Sequence, residues 1–586
     1  MAAAEATASD AKDYDYDIVI YGGSFPGTAA AIMAASVNPT ARILLINPQS
    51  GLGSIGTVGG QNYMDIRNWA ADPHKAQWGF RSYVTMGTYD RIFRQTGQAY
   101  NTDETAALLQ QMVSEHPNVT VWHQTDVLAV ETAGGQQSQG WEKSQGQAQG
   151  QAQGQGQGES KGPGQGDGSG MEQTAAPAST HSAVKIVSIT VQGVRRDPRS
   201  GYVLFDPSSP VRRVRGQVFI DASDTGRLTR LSGHFQGTLG REDSGDRRFM
   251  VNTLMFLVRG VDKEKLLSII RSPNGDWRGT LDQDGTLLFW GGWAATDPYT
   301  GAPAIMKFNE SSPRFHLKAA NVAQNGTGTD EYWVNMLLVF NVDPRLEEKD
   351  RGTDRFPEPV NQDPNVPPWS LDEAWVQARR VLTTPEFLAA LRSFPAFERV
   401  ELVPDKDGLP KVGEMMYIRE ALHSSLDPDV VSPDNYALTA EEVALAGVGP
   451  NDGADRGNYA HRIGLSFYQQ DSNGYIKWKQ WSGWSPVGEP LPLGQEPKNP
   501  VYLPYEVMTT PAIANLLVPN GSANASRWAW SELRVIPNLT VVGDAAGVAA
   551  GLAVKDGWAE QVGQATDAQI ASVQTALRQL GARLDK

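Results

Sequence analysis

Short apolar runs that end in glycine-rich turns recur at three widely separated places in the chain. The first, Asp17 to Tyr21, is a β-type run followed by Gly22-Gly23-Ser24-Phe25-Pro26-Gly27, a small-residue helix over Thr28 to Ser36 and a second run, Arg42 to Ile46. That order predicts a βαβ unit. The second is a strand from Gln217 to Asp221, a turn through Ala222, Asp224 and Gly226, and a helix opened by Leu228 and Leu231. The third is read as a strand from Asn538 to Val542, a Gly543-Asp544 turn, and a helix carrying Gly547 and Val548. Three such junctions point at one large ligand. Partial period-2 alternation in VTVWHQTDVLAVET and AVKIVSITVQGVRR predicts a β-hairpin. Residues 134–181, dominated by Gln, Gly, Ser and Ala, would lengthen its connection as a disordered insert. Residues 246–504 carry many Trp, Pro and Gly residues and few helical periods, as expected of a separate mixed domain.

Length and charge narrow the partners. At 586 residues the chain needs at least two domains. With 51 Lys+Arg against 66 Asp+Glu the net charge is −15, which removes the basic field that nucleic acid requires. The absence of cysteine excludes disulfides, thiolate metal sites and a cysteine-linked flavin. No HExxH or clustered His/Asp set suggests a metal, and no uninterrupted apolar run suggests a membrane partner. A cytoplasmic protein is expected, the alternative being a secreted one whose signal peptide is missing from this chain.

The first turn carries the most specific chemistry. Gly22 permits a tight turn, the following backbone can approach a pyrophosphate, and Gly27 allows helix–strand contact with the helix N-terminus facing the phosphates. Ser24 replaces the usual second glycine, and Asn47 stands where an acidic residue usually holds a ribose. Gly51 to Asn62 then supplies a five-glycine loop, including Gly53, Ser54, Gly59 and Gly60, that lets backbone approach a flat ligand.

These residues, with TDV at Thr125 to Val127, FIDASDTG at Phe219 to Gly226, GRED at Gly240 to Asp243, TLMFLVRGVD at Thr253 to Asp262, IRE at Ile418 to Glu420, LPYE at Leu503 to Glu506, NLLVPNGS at Asn515 to Ser522, SELR at Ser531 to Arg534 and GDAAGVAAG at Gly543 to Gly551, run in an order that resembles a family. It is similar to FAD-dependent oxidoreductases of the glutathione-reductase structural class. The resemblance implies an α/β architecture: a Rossmann-like FAD-binding domain of glutathione-reductase type (14–133, 182–245 and 505–586) with a second mixed α+β substrate domain (246–504), after a disordered tail (1–13). It implies noncovalent FAD with its pyrophosphate on Gly22, Gly23, Ser24, Pro26 and Gly27, its ribose near Asn47, and Val127 backbone at the adenine. The isoalloxazine would lie between the Gly51 to Gln61 loop and the C-terminal turn of Gly543, Asp544, Gly547 and Val548, whose helix would aim its N-terminus at the ring. Either Asp544 or Asn520 would hold the ribityl chain.

The implied reaction is two-electron oxidation of a small organic molecule, a sugar-like or aromatic compound, with electrons passing to oxygen or a carrier. Candidate catalytic residues are His423, Arg419, His461 and Arg534. In related sequences a histidine commonly stands where this chain has Arg527, so the base is left open. The alternatives are a flavin monooxygenase or halogenase fed by an external reductant, and a redox-silent protein with structural FAD.

Overall fold

The computed structural model describes residues 11–66, 86–134, 184–233, 249–272, 275–282, 284–359, 366–420, 438–447, 455–469, 471, 474, 499–510 and 512–586. The expected insert (134–181), apart from Gly134, and His423 therefore lie outside the described residues.

A parallel sheet organises the first half of the fold. Its strands run in the order Leu516–Leu517, Val218–Asp221, Ile18–Tyr21, Ile43–Ile46 and Val119–Trp122. The four residues of each of the three central strands are all buried, because both faces of the sheet are covered. Alternation assigns the faces: Ile18 and Ile20 pack toward helices Phe25–Val37 and Ile536–Asp556, whereas Val19 and Tyr21 pack with Val127, Ile189 and Val214 of a second sheet. That second sheet has the order Lys12–Asp15, Arg212–Arg215, Lys185–Arg196, Thr125–Ala133. Its last two strands form the predicted hairpin, from Thr125 opposite Gly193 to Ala133 opposite Lys185.

The third strand–turn–helix junction is not formed. Residues 536–556 are one continuous helix with Pro537 in its first turn, so the run expected as a strand over Asn538 to Val542 is helical. A helix buried on every side is apolar on every side, and here its Thr-Val-Val run imitates a core strand. Its glycines are contact points. A Cβ on Gly543 would sit 2.3 Å from the Pro26 carbonyl oxygen, and one on Gly547 2.3 Å from that of Ala30, so the four-residue spacing lets two helices touch backbone to backbone. The helix has the length and apolarity of a membrane span, yet almost all of it is buried inside the protein.

The middle of the chain builds a larger antiparallel sheet in the order Trp277–Leu281, Leu287–Gly291, Ala320–Gln324, Glu331–Val339, Asn252–Arg259, Glu401–Leu402. Helices Leu371–Val381 and Pro385–Leu391 cover it through Ala374, Phe387 and Leu391. Its other side faces the glycine loop: Met255, Leu257, Trp333 and Tyr417 cluster with Ile55.

Candidate functional site

Where Ile18–Tyr21 ends, Gly22 takes a φ of +101°, and a Cβ there would lie 2.5 Å from the Ala222 backbone. A Cβ on Gly27 would lie 1.9 Å from the Gly22 carbonyl oxygen, so both positions require glycine. Gly23 would strike the Asn47 side chain. Ser24 is the N-cap of the Phe25–Val37 helix: its Oγ accepts from Gly27 N–H at 3.3 Å and donates to the Ala222 carbonyl at 2.7 Å. The serine therefore replaces the usual glycine by tying the turn to the neighbouring strand end.

A cavity of about 260 Å³ opens at the carboxyl ends of the parallel strands, lined by Gly22, Gln49, Ser54, Asp126 and Asp224 and by Lys349 and Trp375 of the middle segment. A smaller one of about 30 Å³ adjoins it, sharing Asp224 and Ile418, and is lined by Ser24, Gly53, Asn520, Tyr417, Arg534 and Ile536. Together they form a trough along the sheet edge, the place where open α/β sheets take ligands. Asn520 donates to the Ala222 carbonyl at 2.9 Å and to Asp224 Oδ1 at 3.2 Å, and burial pushes the Asp224 carboxyl up to about 6. Gly226, at φ +57°, starts the Arg227–Leu231 helix.

Two expected contacts are committed elsewhere. Asn47 is fully buried, and its amide donates to the carbonyls of Gln49 (3.0 Å) and Gly51 (2.9 Å); it fixes the bend after its strand, and Gln49 and Ser50 line the cavity in its place. Val127 spends its N–H on Asp126 Oδ1 (2.7 Å) and its carbonyl on Arg227 Nε (2.9 Å), so its backbone is not free for an adenine.

Beyond the small cavity stands a charged cluster. Arg534 donates to Tyr417 Oη at 2.6 Å and to Asp471 Oδ2 at 2.9 Å. Arg419 donates to the Val251 carbonyl (3.2 Å), Thr253 Oγ1 and Asn335 Oδ1 (3.0 Å), and Asn335 in turn donates to Tyr63 Oη at 3.0 Å. Both guanidinium groups lie within 6 Å of the Tyr417 ring, at 4.5 Å and 5.8 Å. Asp65 accepts from Gln61 Nε2 at 2.9 Å and is pushed up to about 6 by burial and by Asp471. Burial, reinforced by Arg419, holds the Lys318 ammonium down to about 7. Asp65, Lys318, Tyr63 and Asp471 were not among the expected site residues. They lie outside any recognisable motif, and only the folding of the glycine loop against the middle sheet brings them to the two arginines. His461 is elsewhere: it bonds Glu506 and Asp567 (3.2 Å), next to the C-terminal helix Asp567–Gln579, and touches no residue of the trough. It is an ion-pair residue.

The family model for FAD-dependent oxidoreductases matches residues 17–155 and 178–577. The chain belongs to the FAD-dependent oxidoreductase family. Its cofactor is FAD. Comparison with curated proteins finds no match. Among solved structures the oxidoreductase is similar to the p-nitrophenol 4-monooxygenase PnpA from Pseudomonas putida DLL-E4 (9% identity, 60% of this chain and 65% of that one, TM-score 0.23). It is also similar to the myxobacterial chondrochloren halogenase CndH (9%, 97% and 79%, TM-score 0.34) and to PqsL from P. aeruginosa (10%, 96% and 91%, TM-score 0.29).

The residues of this oxidoreductase fit FAD at both ends of the trough. The Ser24-capped helix offers N–H groups suited to a pyrophosphate. At the other end, the buried Arg534 Nε–H has no partner among the described residues, and the Ile536–Asp556 helix starts without a side-chain cap, both beside the small cavity. A ring carbonyl suits such donors. This is also where the N-terminus of the Ile536–Asp556 helix lies, seven residues before the Gly543 position expected for it. Asp544, in mid-helix, accepts instead from Thr88 N–H at 2.9 Å; Gly543, Asp544, Gly547 and Val548 all lie outside the trough's lining. In the glycine loop, Gly53 (φ +102°) donates its N–H to the Gly23 carbonyl at 2.7 Å, Ser54 donates to Gln49 Oε1 at 3.2 Å, and Gly59 and Gly60 make room for Ile55 and Trp333.

Proposed function

We propose that this oxidoreductase carries out a two-electron dehydrogenation of a small organic molecule, with an FAD-binding domain of glutathione-reductase type and with Asp65 as the proton acceptor. The observation that carries the reading is the meeting of the trough's Arg534 end with Asp65, Lys318, Arg419 and three tyrosines. FAD, when bound, supplies the two-electron acceptor. The chain supplies the rest. Tyr63, Tyr417 and Tyr468 are buried and held neutral, since burial raises all three phenols; they wall the site with apolar rings while keeping hydroxyls for orientation. Asp65, ionised above about pH 6 and steadied by Gln61, is matched to take an O–H or N–H proton near neutrality. Electrons leave afterwards to oxygen or a carrier.

The mass of the product tests this. A compound two hydrogens lighter than its substrate, formed without nicotinamide, is expected; a product one oxygen or one halogen heavier, formed only with an external reductant, would replace dehydrogenation by monooxygenation or halogenation.

A further inference from the structure

Building on the dehydrogenation proposed above, we infer that the substrate is an organic carboxylate, held as an anion by Arg419 and Lys318. The argument starts from what the protein does with other buried guanidinium groups. Arg227, as deeply buried as Arg419, meets Asp126, Glu347 and Asp350. Arg534 meets Asp471. Arg419 is 1% exposed, and the oxygens it donates to belong to Val251, Thr253 and Asn335, all neutral. Lys318 has no ion-pair partner among the described residues, and its backbone N–H is fixed on the Met336 carbonyl at the sheet edge.

Among the described residues Lys318, Arg419 and Arg534 meet the carboxylates Asp65 and Asp471 here, while the buried Glu420, on the wall of the small cavity, accepts from Met250 N–H at 3.1 Å. Buried cations left without a counter-ion are costly, and burial accordingly draws Arg419 down to about 10 and Lys318 to about 7. Arg419 also has the right donors left. Its Nη1 hydrogens go to Val251 and Thr253 and one Nη2 hydrogen to Asn335, which leaves Nε–H and the other Nη2 hydrogen. That remaining fork matches the two oxygens of a carboxylate, with the Lys318 ammonium as a second point of charge.

The test uses the FAD-loaded protein and two probe pairs, benzoate with benzamide and acetate with acetamide. Binding is read by calorimetry and by the perturbation of the bound flavin's absorption. The carboxylates are expected to bind at least about tenfold more tightly than their amides, the loss of one charged hydrogen bond being worth that much. Lys318→Met should remove most of that preference and leave amide affinity unchanged. Lys318 is the decisive position because its ammonium makes no bond within the described fold; Arg419→Lys, which keeps the charge and loses the fork, should give an intermediate preference. Equal binding of acid and amide, no binding of either carboxylate, or an unaltered preference in Lys318→Met overturns the inference, as does chloride or phosphate competing at the same concentration as the carboxylates. Charge-selective binding without anaerobic reduction of the flavin by any compound would keep the anion site and reject the dehydrogenation; reduction by neutral compounds with charge-blind binding would do the reverse.

Discussion

Replacing Asp544 by Asn should stabilise the protein at neutral pH and leave FAD in place. The Asp544 carboxyl lies inside the Ile536–Asp556 helix, 2% exposed; Oδ2 accepts from Thr88 N–H, while Oδ1 is buried with no hydrogen-bond partner among the described residues. Burial pushes the carboxyl up to about 7 from an ordinary value of 3.8. The folded state thus binds a proton that the unfolded chain has already released between roughly pH 4 and 7. Stability falls across that window as pH rises. Three units at about 1.4 kcal/mol each put a ceiling of about 4 kcal/mol on the penalty at pH 8. Asn keeps the acceptor for Thr88 N–H and brings an NH₂ that can meet Thr88 Oγ1. Urea unfolding of both proteins at pH 4.5 and pH 8 measures the effect. The Asn variant should be of nearly equal stability in acid and more stable by a few kcal/mol at pH 8, with unchanged flavin content. A variant that loses FAD, or gains nothing at pH 8, would refute this placement and return Asp544 to the cofactor.

Three further outcomes follow from the packing and the site. Gly547→Ala puts a Cβ 2.3 Å from the Ala30 carbonyl, so thermal unfolding should show a loss of about 1–3 kcal/mol, with Gly543→Ala behaving alike against Pro26. Arg227→Met removes the guanidinium shared by Asp126, Glu347 and Asp350 and leaves Lys349, Arg230 and Arg355 beside them; denaturant titration should show a loss of about 3–5 kcal/mol at pH 7 that shrinks in acid as Glu347 and Asp350 protonate. Asp65→Asn should slow anaerobic flavin reduction by about 10²-fold or more and erase the limb of the pH–rate profile near pH 6, whereas an unchanged profile would remove Asp65 from proton transfer.

The N-terminal half of the fold was legible because its signals are local. A strand, a Gly22 turn that excludes a side chain, and a capped small-residue helix are adjacent in sequence, and the hairpin strands carry their own alternation. Two readings failed where a local signal served a distant purpose. Gly543 and Gly547 are spaced for a helix more than 500 residues away, against Pro26 and Ala30, which resembles a turn followed by a helix when read along the chain. Asn47 occupies the position of a ribose ligand yet completes its own bend. Asp65 and Lys318 could not be found from spacing, because their proximity depends on how the glycine loop packs against Trp333 and Tyr417.

In the proposed reaction this oxidoreductase takes two electrons directly from an organic substrate. Its most direct test is the visible absorption of the bound flavin, followed under anaerobic conditions as small carboxylates carrying an adjacent oxidisable alcohol or amine are added without nicotinamide. One of them should bleach the flavin fully in a single turnover, with colour returning when oxygen is admitted. A flavin that stays oxidised with every such compound and bleaches only when a reduced nicotinamide is supplied would rule that reaction out.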